Sequence, residues 1–213
     1  RNLYLEQQAS IVEQQVSPPA FPTKIFNIRN YGAIGDGKTI NTAAFAQAIA
    51  DCAKAGGGKV LVPEGIWLTG PIQLKSNINL HLVQGAQIRF STNFDHYLPK
   101  VFSRWEGTEM KTHHPLIYAK DCINIAITGP GLLDGQGKPW WDKEVRQKIH
   151  RPSFIQPISC KNVLLEGFTI TSGPMWTIHP VYCENVIIRN LKIQTEGPNN
   201  DGINPDSLSL IHI

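Results

Sequence analysis

The sequence predicts an all-β fold, a right-handed parallel β-helix with one short capping helix near its N-terminal end. Three observations carry that prediction. A short unit recurs as Cys122-Ile123-Asn124-Ile125, Cys160-Lys161-Asn162-Val163 and Cys183-Glu184-Asn185-Val186. The last two copies lie 23 residues apart, too short for a propeller blade and suited to one turn of a coil of short strands. Each copy opens an aliphatic, β-branched run, as in Val163-Leu164-Leu165 and Val186-Ile187-Ile188, which is strand composition. Such a unit cannot bury its apolar face alone, so successive units must stack, and right-handed crossover is the default.

Taken in chain order, residues 1–23 are rich in Gln and Pro and are expected to form a flexible leader. Residues 24–213 are expected to be the N-terminal part of a single β-helix domain. Phe26-Asn27-Ile28 and Lys59-Val60-Leu61-Val62-Pro63 would begin the first coil. Between them Asn41 or Thr42 can cap a helix running from Ala43 to Ala55, which Gly56-Gly57-Gly58 stops. Phe45, Ile49 and Cys52 fall on one face of it, suited to covering the open end of the coil stack. The glycines of Tyr31–Gly37 lack the Lys-Ser/Thr of a phosphate cradle and mark a turn before the helix.

A fainter copy of the unit sits at Ser76-Asn77-Ile78-Asn79-Leu80. The longer gaps between copies are expected to be loops inserted at turns, residues 92–115 and 138–152, gathered on one face. Trp140-Trp141 in the second insertion is read first as a plug that packs the loop down, and alternatively as a sugar-stacking platform. Aligning the unit at Cys160 on that at Cys183 sets Trp176 level with Asn199 and His179 level with Gly202. Asp134-Gly135-Gln136-Gly137 is expected on the same side one coil earlier, with Asp134 a turn former rather than a second acid.

Composition narrows the functions. Of 213 residues, 41% are hydrophobic and 17% charged, with a net charge of +3. No apolar run is long enough for a membrane span. Lys and Arg are scattered rather than clustered, which argues against nucleic acid, and the mild positive excess suits an acidic polymer. The three repeating cysteines read as stacked small apolar residues, although neighbouring coils lie about 4.8 Å apart and a Cys160–Cys183 disulfide is conceivable. No Cys-x-x-Cys pair occurs, and neither metal nor cofactor is called for.

One segment carries chemistry: Asn199-Asn200-Asp201-Gly202-Ile203-Asn204-Pro205-Asp206-Ser207. An Asp-Gly turn flanked by amides holds a carboxylate at a fixed place, as hydrolysis of a glycosidic bond requires. The segment resembles the Asn-Thr/Asn-Asp-Gly signature of glycoside hydrolase family 28, the polygalacturonases and their relatives. The resemblance extends over Ile28–Ala33 with Asp36-Gly37, Gly129–Gly137 with Trp140-Trp141, Arg151-Pro152 and Ser172–Pro180. It implies a pectin-lyase-like β-helix, secreted to the extracellular space or periplasm, monomeric at full length, that hydrolyses α-1,4-galacturonan (pectin) with inversion. On that implication Asp201 helps activate the attacking water and Asn199 orients the site. Trp176, Asn200 and Gly202 are expected to contact the polysaccharide, and His179 either hydrogen-bonds it or packs as a structural residue beside Trp176 and Pro180. Asn200, where many members have Thr, resembles exo-acting members.

The family pattern also includes an Asp-Asp pair one coil beyond Asp201, then Gly-His-Gly and Arg-Ile-Lys segments. All would fall past Ile213, and the chain as written is expected not to turn over substrate. The repeat predicts Cys-x-Asn-Val at 208–211, but the chain reads Leu208-Ser209-Leu210-Ile211, as if the repeating sequence stopped at Ser207. Two other classes fit the composition: a non-catalytic β-helix module that binds acidic polysaccharide, and a β-eliminating lyase, for which the acidic Ca²⁺ cluster is missing. Rhamnogalacturonan or xylogalacturonan is an alternative substrate.

Overall fold

The structure, a computed structural model, describes residues 17–212. Its strands form a parallel β-helix of three sheets. The largest has seven strands, Ile25–Asn27, Gly58–Val62, Ile78–Leu82, Ile123–Thr128, Lys161–Glu166, Glu184–Arg189 and Ser209–His212, each parallel to the next. The second sheet has five strands, from Gly65–Thr69 to Lys192–Gln194. The third pairs Ile72–Gln73, Ile117–Lys120 and Ile155–Ile158, and isolated bridges continue it through Ile178 and Val181 to Ile203 and Asp206. Each coil visits the three sheets in turn, and the interior is filled by stacks of like residues. Ile125, Val163 and Val186 form one column and Ile117, Ile155 and Ile178 another, all buried.

The repeated unit proves to be the corner between the third sheet and the first. Asn77, Asn124, Asn162 and Asn185 all take left-handed backbone, with φ from 54° to 62°, a conformation asparagine tolerates better than most residues. Their amides form a ladder in which each later residue donates to the one before. Nδ2 of Asn124 bonds Oδ1 of Asn77 at 3.0 Å, and the steps to Asn162 and Asn185 are both 2.8 Å. The faint copy at Ser76 is thus a full member. Cys122, Cys160 and Cys183 stack beside the ladder as buried free thiols, so the conceivable disulfide does not form. The strand Ser209–His212 keeps the rung, with Val186 opposite Ile211. Among the described residues, Oδ1 of Asn185 is buried without a partner.

The expected helix runs Thr42–Lys54 and buries Phe45, Ile49 and Cys52 over the first coil. Asn41 stands at its N-cap position without capping it. Its side chain instead bonds the backbone of Ile34, Thr39 and Leu68 and fastens the preceding loop. Burial pushes the Cys52 thiol up to about 11, as befits an inert packing residue. Of the expected leader, residues 1–16 lie outside the described residues. Residues 17–23 lie on the large sheet: Phe21 packs over its outward-facing Ala126, Leu164 and Ile187, and the carbonyl of Ser17 accepts from Asn185. Three outward apolar residues, side by side on three neighbouring strands, need a cover, and Phe21 supplies it.

Candidate active site

The first insertion folds over the third sheet, and the second packs against the turns that lead into it. Residues 101–112 form an antiparallel hairpin, Val101–Trp105 with Thr108–Thr112. On this sheet Ile155-Gln156-Pro157, Ile178-His179-Pro180 and Ile203-Asn204-Pro205 stack rung on rung, the isoleucines packed into the core cluster. The hairpin lies over the intervening polar column and meets one coil after another. The Tyr118 hydroxyl donates to the carbonyl of Phe102 at 2.9 Å, and Ser103 donates to Oε1 of Gln156 at 3.0 Å. Arg104 pairs with Asp206 at 3.0 Å, and Trp105 stacks on Trp176 with centroids 5.2 Å apart.

This covering buries His179 to 2% exposure. Because the Gln156 carbonyl is taken by Ser103, its amide donates to Nδ1 of His179 at 2.9 Å. The proton of a neutral His179 therefore sits on Nε2, which faces Asp206 at 3.8 Å. Burial lowers the His179 pKa, opposed by the Asp206 carboxylate. Asp206 is itself occupied, with Arg104 and the Ser207 hydroxyl both bonding Oδ1.

The turn before Ile203 is where the coils stop matching. Between the second-sheet strand and the third-sheet bridge there are six residues, 172–177, in one coil and eight, 195–202, in the next. The two extra residues shift the register. Trp176 lies level with Asp201 and His179 with Asn204, not with Asn199 and Gly202 as the 23-residue alignment predicts. Asp134 opens the expected turn one coil earlier, in which Gly135 and Gly137 donate to the carbonyls of Thr171 and Ser172. It belongs to the second sheet, pairs with Arg89 at 3.6 Å and accepts from the amide of Gln136, a turn former. Gln156 holds the rung before His179.

Within the eight-residue turn, exposed Asn199 and Asp201 flank a half-buried Asn200. Asn200 clips the turn shut: its Oδ1 accepts from Gly197 at 2.9 Å and its Nδ2 donates to the carbonyl of Met175 at 3.0 Å. Both amide ends are spent inside the protein, so Asn200 shapes the turn and does not present its side chain to a ligand. Asp201 accepts from Nδ2 of Asn204 at 3.0 Å, and its backbone carbonyl takes the amide of Thr177. Asn199 has φ 58°, and its Oδ1 accepts from Nη2 of Arg151 at 2.7 Å. Gly202 has ordinary φ and open space, a Cβ there meeting only Ile193 at 3.7 Å.

Of the two roles weighed for His179, the structure supports the packed one. Trp176 is half-buried, one side taken by Trp105 and an edge by His179. Trp140 is wholly buried against Phe94 and Tyr97 while Trp141 donates to the carbonyl of Gly173, so the pair plugs its loop. Sequence reasoning missed Arg104, Gln156, Asp206 and the contacts of Arg151. The Ile-Gln-Pro, Ile-His-Pro, Ile-Asn-Pro series was a readable signal for two of these rungs. Among the described residues, no group of three or more His, Cys, Asp or Glu is placed to hold a metal, and no helix is long and apolar enough to cross a membrane.

Fold and site together define a solenoid with one irregular face that carries an exposed carboxylate among fixed amides, a class whose long open surfaces suit extended chain molecules. The family model described as glycosyl hydrolases family 28 matches residues 52–213. A probable polygalacturonase of Vitis vinifera is 34% identical over 84% of this chain and 39% of its own length. The crystal structure of a hyperthermoactive exopolygalacturonase from Thermotoga maritima superposes with a TM-score of 0.87 at 41% identity, covering 95% of this chain and 55% of that one. A family 28 exopolygalacturonase of Yersinia enterocolitica gives 0.77 at 28%, covering 86% and 41%. The chain belongs to glycosyl hydrolases family 28. It spans well under two thirds of the length of these relatives.

Proposed function

We propose that the protein carrying this chain hydrolyses α-1,4-galacturonosyl linkages in pectin, with inversion and from chain ends, outside the cytoplasm. The observation that carries the reading is the Asn199–Gly202 turn, which holds the exposed Asp201 carboxylate with one oxygen tethered by Asn204. Inversion needs a base that activates water and an acid across the bond, with carboxyl groups roughly 6.5–9.5 Å apart. Asp201 is suited to the first task, with Asn199 holding the substrate or water beside it. Gly202 leaves room for a sugar ring, and Trp176 lines the approach. Asp206 is committed to Arg104 and Ser207, which leaves the acid to a carboxylate outside the described turn. The described coils then form the N-terminal part of one β-helix domain, and residues 1–213 alone lack half of the reaction. Exo action is supported by Asn200 in the signature, by the exo-acting names of the similar structures, and by the hairpin that stands beside Trp176 as a wall.

The test is product analysis. The complete protein is incubated with polygalacturonate and its first products are followed by NMR. Monogalacturonate released in the β-configuration from an α-linkage supports the reading in full. Oligomers with a rapid fall in viscosity sink exo action, and retained configuration sinks inversion. Products absorbing in the ultraviolet replace hydrolysis by elimination, and binding without products makes the protein a polysaccharide-binding module. Residues 1–213 alone are expected to give no products; turnover by them would overturn the assignment of the acid.

A further inference from the structure

The second insertion explains how the eight-residue turn is held. Lengthening a turn by two residues takes its backbone out of the rung-to-rung ladder, so buried carbonyls need donors from elsewhere. Arg151 supplies them. Only 4% exposed, it donates from Nη1 to the carbonyls of Pro174 at 2.9 Å and Pro198 at 2.7 Å, one from each of two successive coils. From Nη2 it donates to Oδ1 of Asn199 at 2.7 Å. Among the described residues no carboxylate pairs with it. A buried guanidinium spent entirely on neutral oxygens is costly, and burial lowers its pKa to about 10. Trp141, from the same loop, lies under Gly197 so closely that a Cβ there would stand 2.3 Å from its Nε1.

We infer that Arg151 is the positioning residue of the Asn199–Asp201 turn and fixes which end of the Asn199 amide faces outward. With Oδ1 held inside, Asn199 presents its Nδ2 and meets a ligand only as a donor, toward an oxygen of sugar or water. The loop of residues 138–152 is thus a brace beneath the site and not a sugar platform. The inference rests on the reading of Asn199 and Asp201 as site residues.

The test uses the complete protein with Arg151→Ala and Arg151→Lys, the second keeping the charge without the fork. Hydrogen exchange at the amides of 199–202 is expected to accelerate at least tenfold in both, with Glu184–Arg189 as protected as before. On polygalacturonate kcat is expected to fall about a hundredfold with KM within threefold, and guanidinium at millimolar concentration to restore part of it to Arg151→Ala. Asn199→Ala added to Arg151→Ala should cost little more. Unchanged exchange at 199–202, a loss carried by KM alone, or fully additive losses would overturn the inference. Should Arg151→Ala not fold, Arg151→Lys carries the same readouts. Variants that show the exchange pattern beside a wild-type protein that hydrolyses nothing would instead count against the proposed function, leaving the brace in place.

Discussion

At the corner leading into the large sheet, four coils place an asparagine in the same left-handed conformation and join them amide to amide. At the turn leading into the third sheet, the same coils differ in length, carry a hairpin and a helical loop, and share no residue between Trp176 and its neighbour Asp201. Unpartnered buried polar atoms divide the same way. Among the described residues, Arg104 Nε, His113 Nδ1, Trp140 Nε1, Thr177 Oγ1 and Asn204 Oδ1 lie on or under the third-sheet side, and the large sheet contributes Asn185 Oδ1. One side of the solenoid is repetitive and nearly satisfied; the other is singular and holds most of the unpartnered atoms. Stability and chemistry are thereby assigned to opposite sides of the same coils.

The largest effect expected is on the singular side. Asp201→Asn in the complete protein should lower hydrolysis of polygalacturonate by about a thousandfold, as loss of a positioned base does, with an unchanged melting curve. A comparable loss of activity from a ladder variant that still folds would break the division.

Next comes the ladder itself. Asn162→Leu forces a branched side chain into φ 58° and strips partners from both Asn124 and Asn185. Denaturant titration should show a loss of about 3 kcal/mol, while activity per folded molecule stays the same. A loss below about 1 kcal/mol would mean the ladder decorates the corner without holding it.

Acid sensitivity separates the two sides again. His81, His113, His114 and His179 all have pKa values lowered mainly by burial. Below the ordinary value of 6.5 the unfolded imidazoles bind protons that the folded ones refuse, so stability is full above that pH and falls as pH drops toward the lowered values. The slope is at most about 1.4 kcal/mol per pH unit for each group. Three of the four lie on the third-sheet side. Denaturation midpoints at pH 7.5 and 5.5 should therefore move closer together in His179→Gln, a change the division predicts and a uniform solenoid does not. The smallest effect expected is that of Gly202→Ala, within about 0.5 kcal/mol of wild type because the added methyl meets only Ile193. If the space beside Asp201 receives a sugar, KM should nevertheless rise several-fold.

The same division governed what could be read from the sequence. The coils, the asparagine corner and the cap helix follow from residues that repeat or alternate, because stacking forces like residues onto like positions. The site turn was legible as a motif but not as a geometry, since its two extra residues alter the register without altering the pattern on either side. His179 illustrates the difficulty: its neighbours in sequence are Ile178 and Pro180, whereas its role is set by Gln156 and by Ser103 on a hairpin. Arg151 was visible within the family pattern, yet what it holds lies 23 to 48 residues further on. Contacts made by insertions carry no period, so no periodic reading finds them.

The asparagine ladder has a direction. Every later residue donates a hydrogen bond to the one before, so a finished coil ends in a waiting oxygen that the following coil can satisfy. During synthesis, with chains emerging from the N-terminus, each completed turn is therefore a template that sets the entry angle of the next. Assembly gains an order in time from nothing more than which way an amide points.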